Sequence, residues 1–135
     1  REVATEIQAT FGAEVAKPWI SDQWQQQLQE MLARKADIYE RLLPYSIAGT
    51  YLRQHSSYLK AFNIRWLTIE YEIIMSIVPF TPEEEPEIFH GLTVSLSNDT
   101  WIQYRQDQQL SPSQSHNTMA TILTALIQVY QKKIS

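Results

Sequence analysis

Few residues in this chain could support chemistry, and their spacing assembles no complete reactive site. Glu87 and His90 form a Glu-x-x-His pair, which on a helix places both side chains on one face, as in one half of a di-iron carboxylate site. A complete site needs a second such pair and further carboxylates, and neither His55 nor His116 has a glutamate three residues before it. We therefore expect no metal, and we interpret His90 as a partly buried hydrogen-bonding residue.

The common nucleophile and phosphate-binding motifs are also missing. The chain has no cysteine, which excludes a disulfide framework, a thiolate metal site and a cysteine nucleophile. Its serines and histidines do not occur in a nucleophile-elbow pattern, and its three glycines form no phosphate-binding loop. We expect a non-catalytic protein without a cofactor.

Length and composition indicate one domain spanning residues 1–135. A chain of 135 residues can enclose a core without a metal or a disulfide, and 44% hydrophobic against 19% charged residues argues against disorder. The longest apolar stretch, residues 73–80, falls short of the roughly 20 residues that cross a bilayer, and no secretory signal pattern is present. We expect a cytoplasmic protein without a membrane partner. The first residue is Arg1 rather than Met, which suggests that upstream sequence has been removed or processed.

The charge distribution argues against direct nucleic-acid binding by this chain. Its formal net charge is -4, and acidic residues are concentrated at Glu83, Glu84, Glu85 and Glu87. Proteins that bind DNA gather Lys and Arg on one face to contact the phosphates. We expect any contact with DNA to be made through a part of the protein outside this chain.

Apolar residues recur every three or four positions, which predicts helices, and no stretch shows the alternation typical of a strand. The predicted helices cover residues 2–16, 21–43 with Ser21 as N-cap, 57–78, 81–104 and 111–134, with a short helix between Pro44 and Ser56. Pro18, Pro44 and Pro79 mark breaks, because proline disfavours helical geometry in the residue before it. The 57–78 helix is apolar around much of its circumference, which predicts a central, largely buried position.

Two segments have the sequence of a helix start. Thr81-Pro82-Glu83-Glu84 and Ser111-Pro112-Ser113-Gln114 each combine a hydroxyl at the N-cap, proline at the first helical position and Glu or Gln at the third. We expect each segment to form a capping box and to open one of the last two long helices.

Two stretches of the chain follow a pattern that recurs in one protein family. Residues 96–111 read Leu-Ser-Asn-Asp-Thr-Trp-Ile-Gln-Tyr-Arg-Gln-Asp-Gln-Gln-Leu-Ser, and upstream Arg34 precedes Tyr-Glu-Arg-Leu-Leu-Pro at 39–44. They resemble the C-terminal domains of TetR-family transcriptional regulators, in which Ser-Phe-Glu-x-Trp and then Leu-Arg-x-x-Gln-Gly-Leu-Ser open the last major helix. The matching positions are Ser97, Trp101, Arg105, Gln108, Leu110 and Ser111. The chain departs from the pattern at Asn98, where an aromatic residue is common, at Tyr104, and at Gln109, where glycine is usual.

The resemblance implies an all-α helical bundle in which the last two long helices of two chains form a dimeric four-helix bundle. The final helix is apolar on more than one side, as expected of a helix that packs against its own domain and a partner, although such a stripe also suits a plain core. Small residues on the preceding helix would allow a close helix approach. We predict dimer contacts at Gly91, Ser95, Met119, Ile122, Leu126, Ile127 and Tyr130.

The resemblance also places an effector pocket among the middle helices. The predicted pocket residues are Tyr39, Phe62, Trp66, Ile69, Phe89 and Thr93. Small-molecule pockets are mostly apolar with a few polar groups that fix orientation, and this set fits, although each member alone would also suit ordinary packing. Its aromatic residues and few charges indicate a small apolar or aromatic effector.

The leading hypothesis is therefore the effector-binding, homodimeric domain of a TetR-type repressor, with DNA contacted only through an N-terminal helix-turn-helix domain outside this chain. The alternative is a stand-alone helical adaptor or interaction domain, in which a partner protein covers the same apolar stripes. A di-metal enzyme is a third hypothesis. A basic helix-turn-helix directly before Arg1 would support the regulator, and a native start near Arg1 would favour the adaptor.

Overall fold

The computed structural model describes the backbone of residues 13–15, 17–55 and 57–135, and side chains outside residues 46–66 within those ranges. Throughout this part of the chain the regular structure is helical, which confirms the predicted all-α fold class. The elements in order are α1 (Trp24–His55), α2 (Ser57–Ile77), α3 (Pro86–Ser95), α4 (Asn98–Ile102), a π-helix (Gln103–Asp107) and α5 (Pro112–Ile134). Residues 13–15 are also helical, and the rest of the helix predicted over residues 2–16 lies outside the described residues.

Helix α1 is longer than predicted because it continues through Pro44. The prediction that Pro44 ends the helix is wrong, and the short helix expected before Ser56 is the second half of α1. Proline removes one hydrogen bond and crowds the preceding turn, a cost that a well-packed helix can absorb. Tyr39 and Leu43 anchor that turn in the core, whereas Pro44 itself is exposed.

The start of α1 also differs from the prediction. Ser21 is not the N-cap, since the helix begins at Trp24 and the Ser21 hydroxyl instead accepts the backbone N–H of Gln23 at 3.1 Å. Glu30, further along α1, accepts the backbone N–H groups of Ile20 and Ser21 at 2.7 and 2.9 Å. This carboxylate fixes the chain at Ser21 in a non-helical approach, so the helix starts later.

Arg34 on α1 holds the connection that precedes the helix. Its Nη1 donates to the carbonyl oxygens of Val15 and Lys17 at 3.0 and 2.6 Å, and its Nη2 donates to that of Pro18 at 2.9 Å. The guanidinium also lies 4.4 Å from the ring centroid of Trp19, within cation–π range. One side chain of α1 therefore fixes the path of the segment before it.

Helix α2 ends at Ile77, two residues before Pro79, so the predicted end is confirmed to within one residue. The predicted burial is only partly right. Glu70, Ile74 and Ile77 are buried, but Leu67 and Met75 on the same helix are exposed. Where its side chains are described, α2 therefore has one buried face, against α1 and α3, rather than burial on all sides.

The single helix predicted over residues 81–104 is wrong. The capping box at Thr81 and Glu84 forms, with hydrogen bonds of 3.0 and 3.1 Å in both directions, but it caps only a turn. Pro86 has no N–H to continue that turn, and α3 starts there instead. Helix α3 then ends at Ser95, and Ser97 caps the separate helix α4 by accepting the N–H of Thr100 at 3.2 Å.

Helix α5 confirms the sequence prediction at its start. The Ser111 hydroxyl accepts the N–H of Gln114 at 3.1 Å, and the Gln114 side chain accepts the N–H of Ser111 at 2.9 Å. Along α5, Met119 and Leu123 are buried in the core, where α5 packs against α1 and α3. No helix among the described residues is both long and apolar enough to cross a membrane.

Candidate functional site

The predicted effector pocket falls partly outside the described side chains, because Phe62 and Trp66 lie within residues 46–66. Tyr39 on α1 and Phe89 on α3 are buried in the core, whereas Ile69 on α2 is partly exposed, as is Thr93 on α3. The described members therefore come from three helices that pack on one another. Whether the group encloses an effector stays a prediction.

A buried polar cluster, formed by Lys35, Tyr39, Glu70 and the carbonyl of Leu96, joins α1, α2 and the end of α3. Lys35 and Glu70 are only 1% and 4% exposed, and the lysine ammonium donates to the glutamate carboxylate. It also donates to the Leu96 carbonyl at 3.2 Å, and the Tyr39 hydroxyl donates to the same carbonyl at 2.7 Å. Leu96 is the C-cap of α3, so the cluster satisfies a carbonyl that the helix end leaves without an intrahelical partner.

Burial governs protonation in the polar cluster. Loss of hydration lowers the pKa of Lys35, and the adjacent Glu70 carboxylate opposes this effect. Loss of hydration is also the main reason that the pKa of Tyr39 is well above its usual value, and the negative charge of Glu70, 3.2 Å from the hydroxyl, adds to it. Tyr39 is therefore a neutral hydrogen-bond donor near neutral pH. The cluster therefore links α1, α2 and the end of α3 through buried hydrogen bonds.

A second network connects the two stretches that carry the family resemblance. Glu40 on α1 accepts the indole N–H of Trp101 at 3.0 Å and the Nε and Nη2 groups of Arg105 at 2.9 and 2.8 Å. Arg105 also donates to the carbonyl of Leu110 at 2.8 Å. The hydrogen bond from Arg105 is the main cause of the lowered pKa of Glu40. This network holds α4 and the π-helix against α1 and leads the chain to Ser111, where α5 begins.

Four of the predicted dimer residues, Ser95, Met119, Ile127 and Tyr130, are buried within their own chain. Side chains that are already enclosed have little surface left for a partner. Tyr130 illustrates this, because its ring packs against Phe80, 4.5 Å away between centroids. In this arrangement these four residues contribute to the core of their own chain.

The other predicted dimer residues, Gly91, Ile122 and Leu126, lie at or near the surface. A Cβ atom at Gly91 would lie 3.2 Å from Cδ1 of Leu126, tighter than an ordinary contact. Glycine at this position therefore allows α3 to approach α5 closely within one chain. The expectation that small residues permit close helix packing holds at Gly91, but the packing seen is internal.

Helix α5 carries an exposed apolar stripe beside its core-facing side. Ile122, Ala125 and Val129 follow helical spacing along one face, and Ile122 and Val129 are 38% and 51% exposed. We call these three residues the α5 stripe. On α3, which packs against α5, Val94 is 63% exposed. The final helix therefore has more apolar surface than its own chain covers.

The Glu-x-x-His pair lies on α3, where both Glu87 and His90 are exposed. The interpretation of His90 as partly buried is therefore wrong. Its ring lies 5.8 and 6.0 Å from those of Phe89 and Tyr71, at the edge of the core. Among the described residues, no group of three or more His, Asp or Glu side chains is arranged to hold a metal ion.

A polar groove of about 350 Å³ runs between the start of α1 and the second half of α5. We call it the glutamine groove. Its lining consists of Gln23, Gln25, Gln26 and Gln29 on one side and Thr124, Ile127, Gln128 and Gln131 on the other. Across it, the Gln29 amide donates to the Thr124 hydroxyl at 3.0 Å. The positions of these glutamines in the sequence predict no particular function.

Comparison with known proteins does not identify the chain: no family model, curated protein or solved structure matches it. The resemblance to TetR-family regulators therefore depends on the residue pattern alone.

Sequence reasoning missed several residues that organise these sites. Lys35, Glu70 and Glu40 were not singled out, because charged residues on amphipathic helices usually face solvent. A signal was present for Glu70, which helical spacing places on the same face as Ile74 and Ile77. A charge in such a position needs a buried partner.

Proposed function

We propose that this chain is the effector-sensing and dimerisation part of a TetR-type transcriptional regulator, acting as a homodimer. DNA would be contacted by an N-terminal domain outside this chain, in the cytoplasm. The exposed α5 stripe is the observation that carries the proposal, because it lies on the last long helix, where the resemblance implies the dimer contact. The role is one of binding rather than catalysis.

The network around Glu40 gives the proposal a second support. The two stretches that resemble the family are 61 residues apart at Glu40 and Trp101, yet they meet through direct hydrogen bonds. Arg34, Trp101, Arg105, Leu110 and Ser111 each have a defined structural partner or cap. Four of the residues in the two stretches, Glu40, Trp101, Arg105 and Leu110, form one connected unit, which is a stronger basis for a resemblance than scattered matches.

Charge on the α5 stripe tests the dimer. Light scattering of wild-type protein is expected to give twice the mass of one chain, and Val129→Glu is expected to give single chains. A buried, unpaired carboxylate at an interface costs several kcal/mol, at least about 3 kcal/mol in comparable cases. Val129 is half exposed in the single chain, so the fold tolerates the change.

Gln131→Glu is the matched control, because Gln131 is exposed and lies on the opposite side of α5 from Val129, away from the α5 stripe. This variant should remain dimeric. A wild-type protein that is a single chain in solution would overturn the dimer and favour the adaptor hypothesis. A dimer that survives Val129→Glu would place the interface elsewhere.

The effector is tested by thermal shift with indole and naphthalene as apolar aromatic probes. Binding to the folded chain raises the melting temperature in proportion to the logarithm of ligand concentration. Trp66→Ala and Phe62→Ala should reduce that rise and leave the dimer mass unchanged. If the probes raise the melting temperature of these variants as much as that of wild type, the predicted pocket is refuted.

A further inference from the structure

The glutamine groove has an unusual lining for a surface depression. Six of its eight lining residues are glutamines and one is threonine, so no lining side chain carries a charge. Two carboxylates lie near one end of the groove: Asp22 accepts the Gln23 amide at 3.4 Å, and both oxygens of Glu30 accept backbone N–H groups of the segment before α1. The lining itself holds no cation, so an anionic ligand would find no opposite charge there.

Several of the groove amides lack a hydrogen-bond partner among the described residues. Gln25 and Gln26 on α1, and Gln128 and Gln131 on α5, make no side-chain hydrogen bond among the described residues. Each free amide offers two N–H donors and one acceptor oxygen. The two helices therefore present mixed donors and acceptors to each other across a space of about 350 Å³, within the range of small-ligand sites.

We propose that the glutamine groove binds a neutral polyhydroxylated ligand, such as a short saccharide. Hydroxyl groups both donate and accept, so they match side-chain amides that do the same. A peptide is a poorer fit, because peptide grooves supply apolar pockets for side chains, and the only apolar lining residue here is the buried Ile127. The site is separate from the α5 stripe and does not depend on the proposed dimer.

The test is a titration of ¹⁵N-labelled protein followed by NMR of the glutamine side-chain amides, with maltose as the probe. The groove is open and lacks an aromatic platform, so we expect a dissociation constant of about 1 mM. Maltose should move the amide signals of Gln25, Gln26, Gln128 and Gln131. Glucose 6-phosphate should bind no more tightly, because the groove holds no cation.

Gln26→Ala and Gln128→Ala should each weaken maltose binding about five-fold, the loss of one neutral hydrogen bond. Alanine favours helix, so both variants should fold. Gln106→Ala, at an exposed glutamine of the π-helix, is the control and should leave binding unchanged. Maltose that moves no groove amide at about 10 mM overturns the proposal. A peptide such as trialanine moving these signals while maltose does not would also overturn it.

Discussion

Lys35 and Glu70 place opposite charges inside the bundle, where either one alone would be costly. Moving an ion out of water costs several kcal/mol. Removing one partner of a buried ion pair typically costs about 3–5 kcal/mol, because the remaining charge has lost its counterion. Burial lowers the pKa of Lys35, although the adjacent Glu70 carboxylate acts in the opposite direction. We expect the pair to fix α1 and α2 in one register more than to add net stability.

Single and double replacements of this pair should differ sharply. Lys35→Met removes the Lys35 ammonium from the buried Glu70 carboxylate, and we expect it to lower the free energy of unfolding by about 3–5 kcal/mol. Glu70→Leu should have a similar effect. The double variant should lie within about 1 kcal/mol of wild type or above it, because an apolar pair of similar volume needs no hydration. Urea unfolding of wild type, the two single variants and the double variant gives the coupling free energy between Lys35 and Glu70. If the losses of the single variants add up in the double variant, the two side chains are not coupled.

At the scale of helices, the sequence predicted that α1, α2 and α5 are helical but not all of their limits, and it predicted neither the division between α3 and α4 nor the π-helix. Capping boxes and prolines located the start of α5 and the end of α2 correctly, because both signals act within one turn. Pro44 failed as a stop because core packing of the preceding turn is a tertiary effect. The break between α3 and α4 had local signals, Pro86 and Ser97, that helical periodicity alone obscured.

The turn that leads into α5 contains a strained residue. Gln109 has a φ of 54°, in the left-handed region, and it stands where the family pattern has glycine. That conformation costs a non-glycine residue about 1–2 kcal/mol, partly offset by the greater freedom of glycine in the unfolded chain. Gln109→Gly should therefore raise the free energy of unfolding by up to about 1 kcal/mol.

Gln108→Gly is the matched control for that change. Gln108 has an ordinary right-handed φ of -95°, so replacing it with glycine relieves no strain. The replacement only increases the conformational entropy of the unfolded chain. It should lower the free energy of unfolding by about 0.5–1 kcal/mol. If both glycine variants shift stability in the same direction in urea, strain at Gln109 is not the cause.

The contact between α1 and the π-helix should depend on pH. The pKa of Glu40 is lowered in the folded chain, so its stabilising effect is fully present above its unfolded value of about 4.3 and is lost as pH falls through the lower, folded pKa. Glu40→Gln should cost about 1–2 kcal/mol at pH 7, and the difference from wild type should shrink in acid.

Urea unfolding at pH 7 and near pH 3 would measure this effect. Glu72→Gln serves as the control, because Glu72 is exposed on α2, and its replacement should change stability by less than about 0.5 kcal/mol. A loss in Glu40→Gln that is equal at both pH values would show that the carboxylate charge is not what holds Arg105.

At the scale of the whole molecule, the sequence predicted the fold class and an excess of apolar surface on the last helix. It could not predict which residues of that helix stay exposed, since this depends on how α1 and α3 pack against it. Met119 and Ile127 are enclosed, whereas Ile122 and Val129 are not. The sequence also could not predict the polar cluster around Lys35 or the network around Glu40, because the hydrogen-bond partners of these residues are distant in sequence.

A homodimer predicts that thermal stability depends on protein concentration. Unfolding that separates two chains is favoured by dilution, so each ten-fold increase in concentration should raise the melting temperature by about 2–3 °C. Calorimetry of wild type across two decades of concentration would measure the slope. The melting temperature of Val129→Glu should not depend on protein concentration. A flat wild-type response would mean that the chain unfolds as a monomer.

Arg34 carries a mechanical consequence. Its single guanidinium binds the carbonyl groups of Val15, Lys17 and Pro18. Between one and two turns further along α1, Tyr39 joins the polar cluster and Glu40 contacts α4. Any rotation of α1 about its axis would therefore move the backbone at Val15, Lys17 and Pro18 with it. The direction of the segment before α1 is thus coupled to the orientation of α1 in the core.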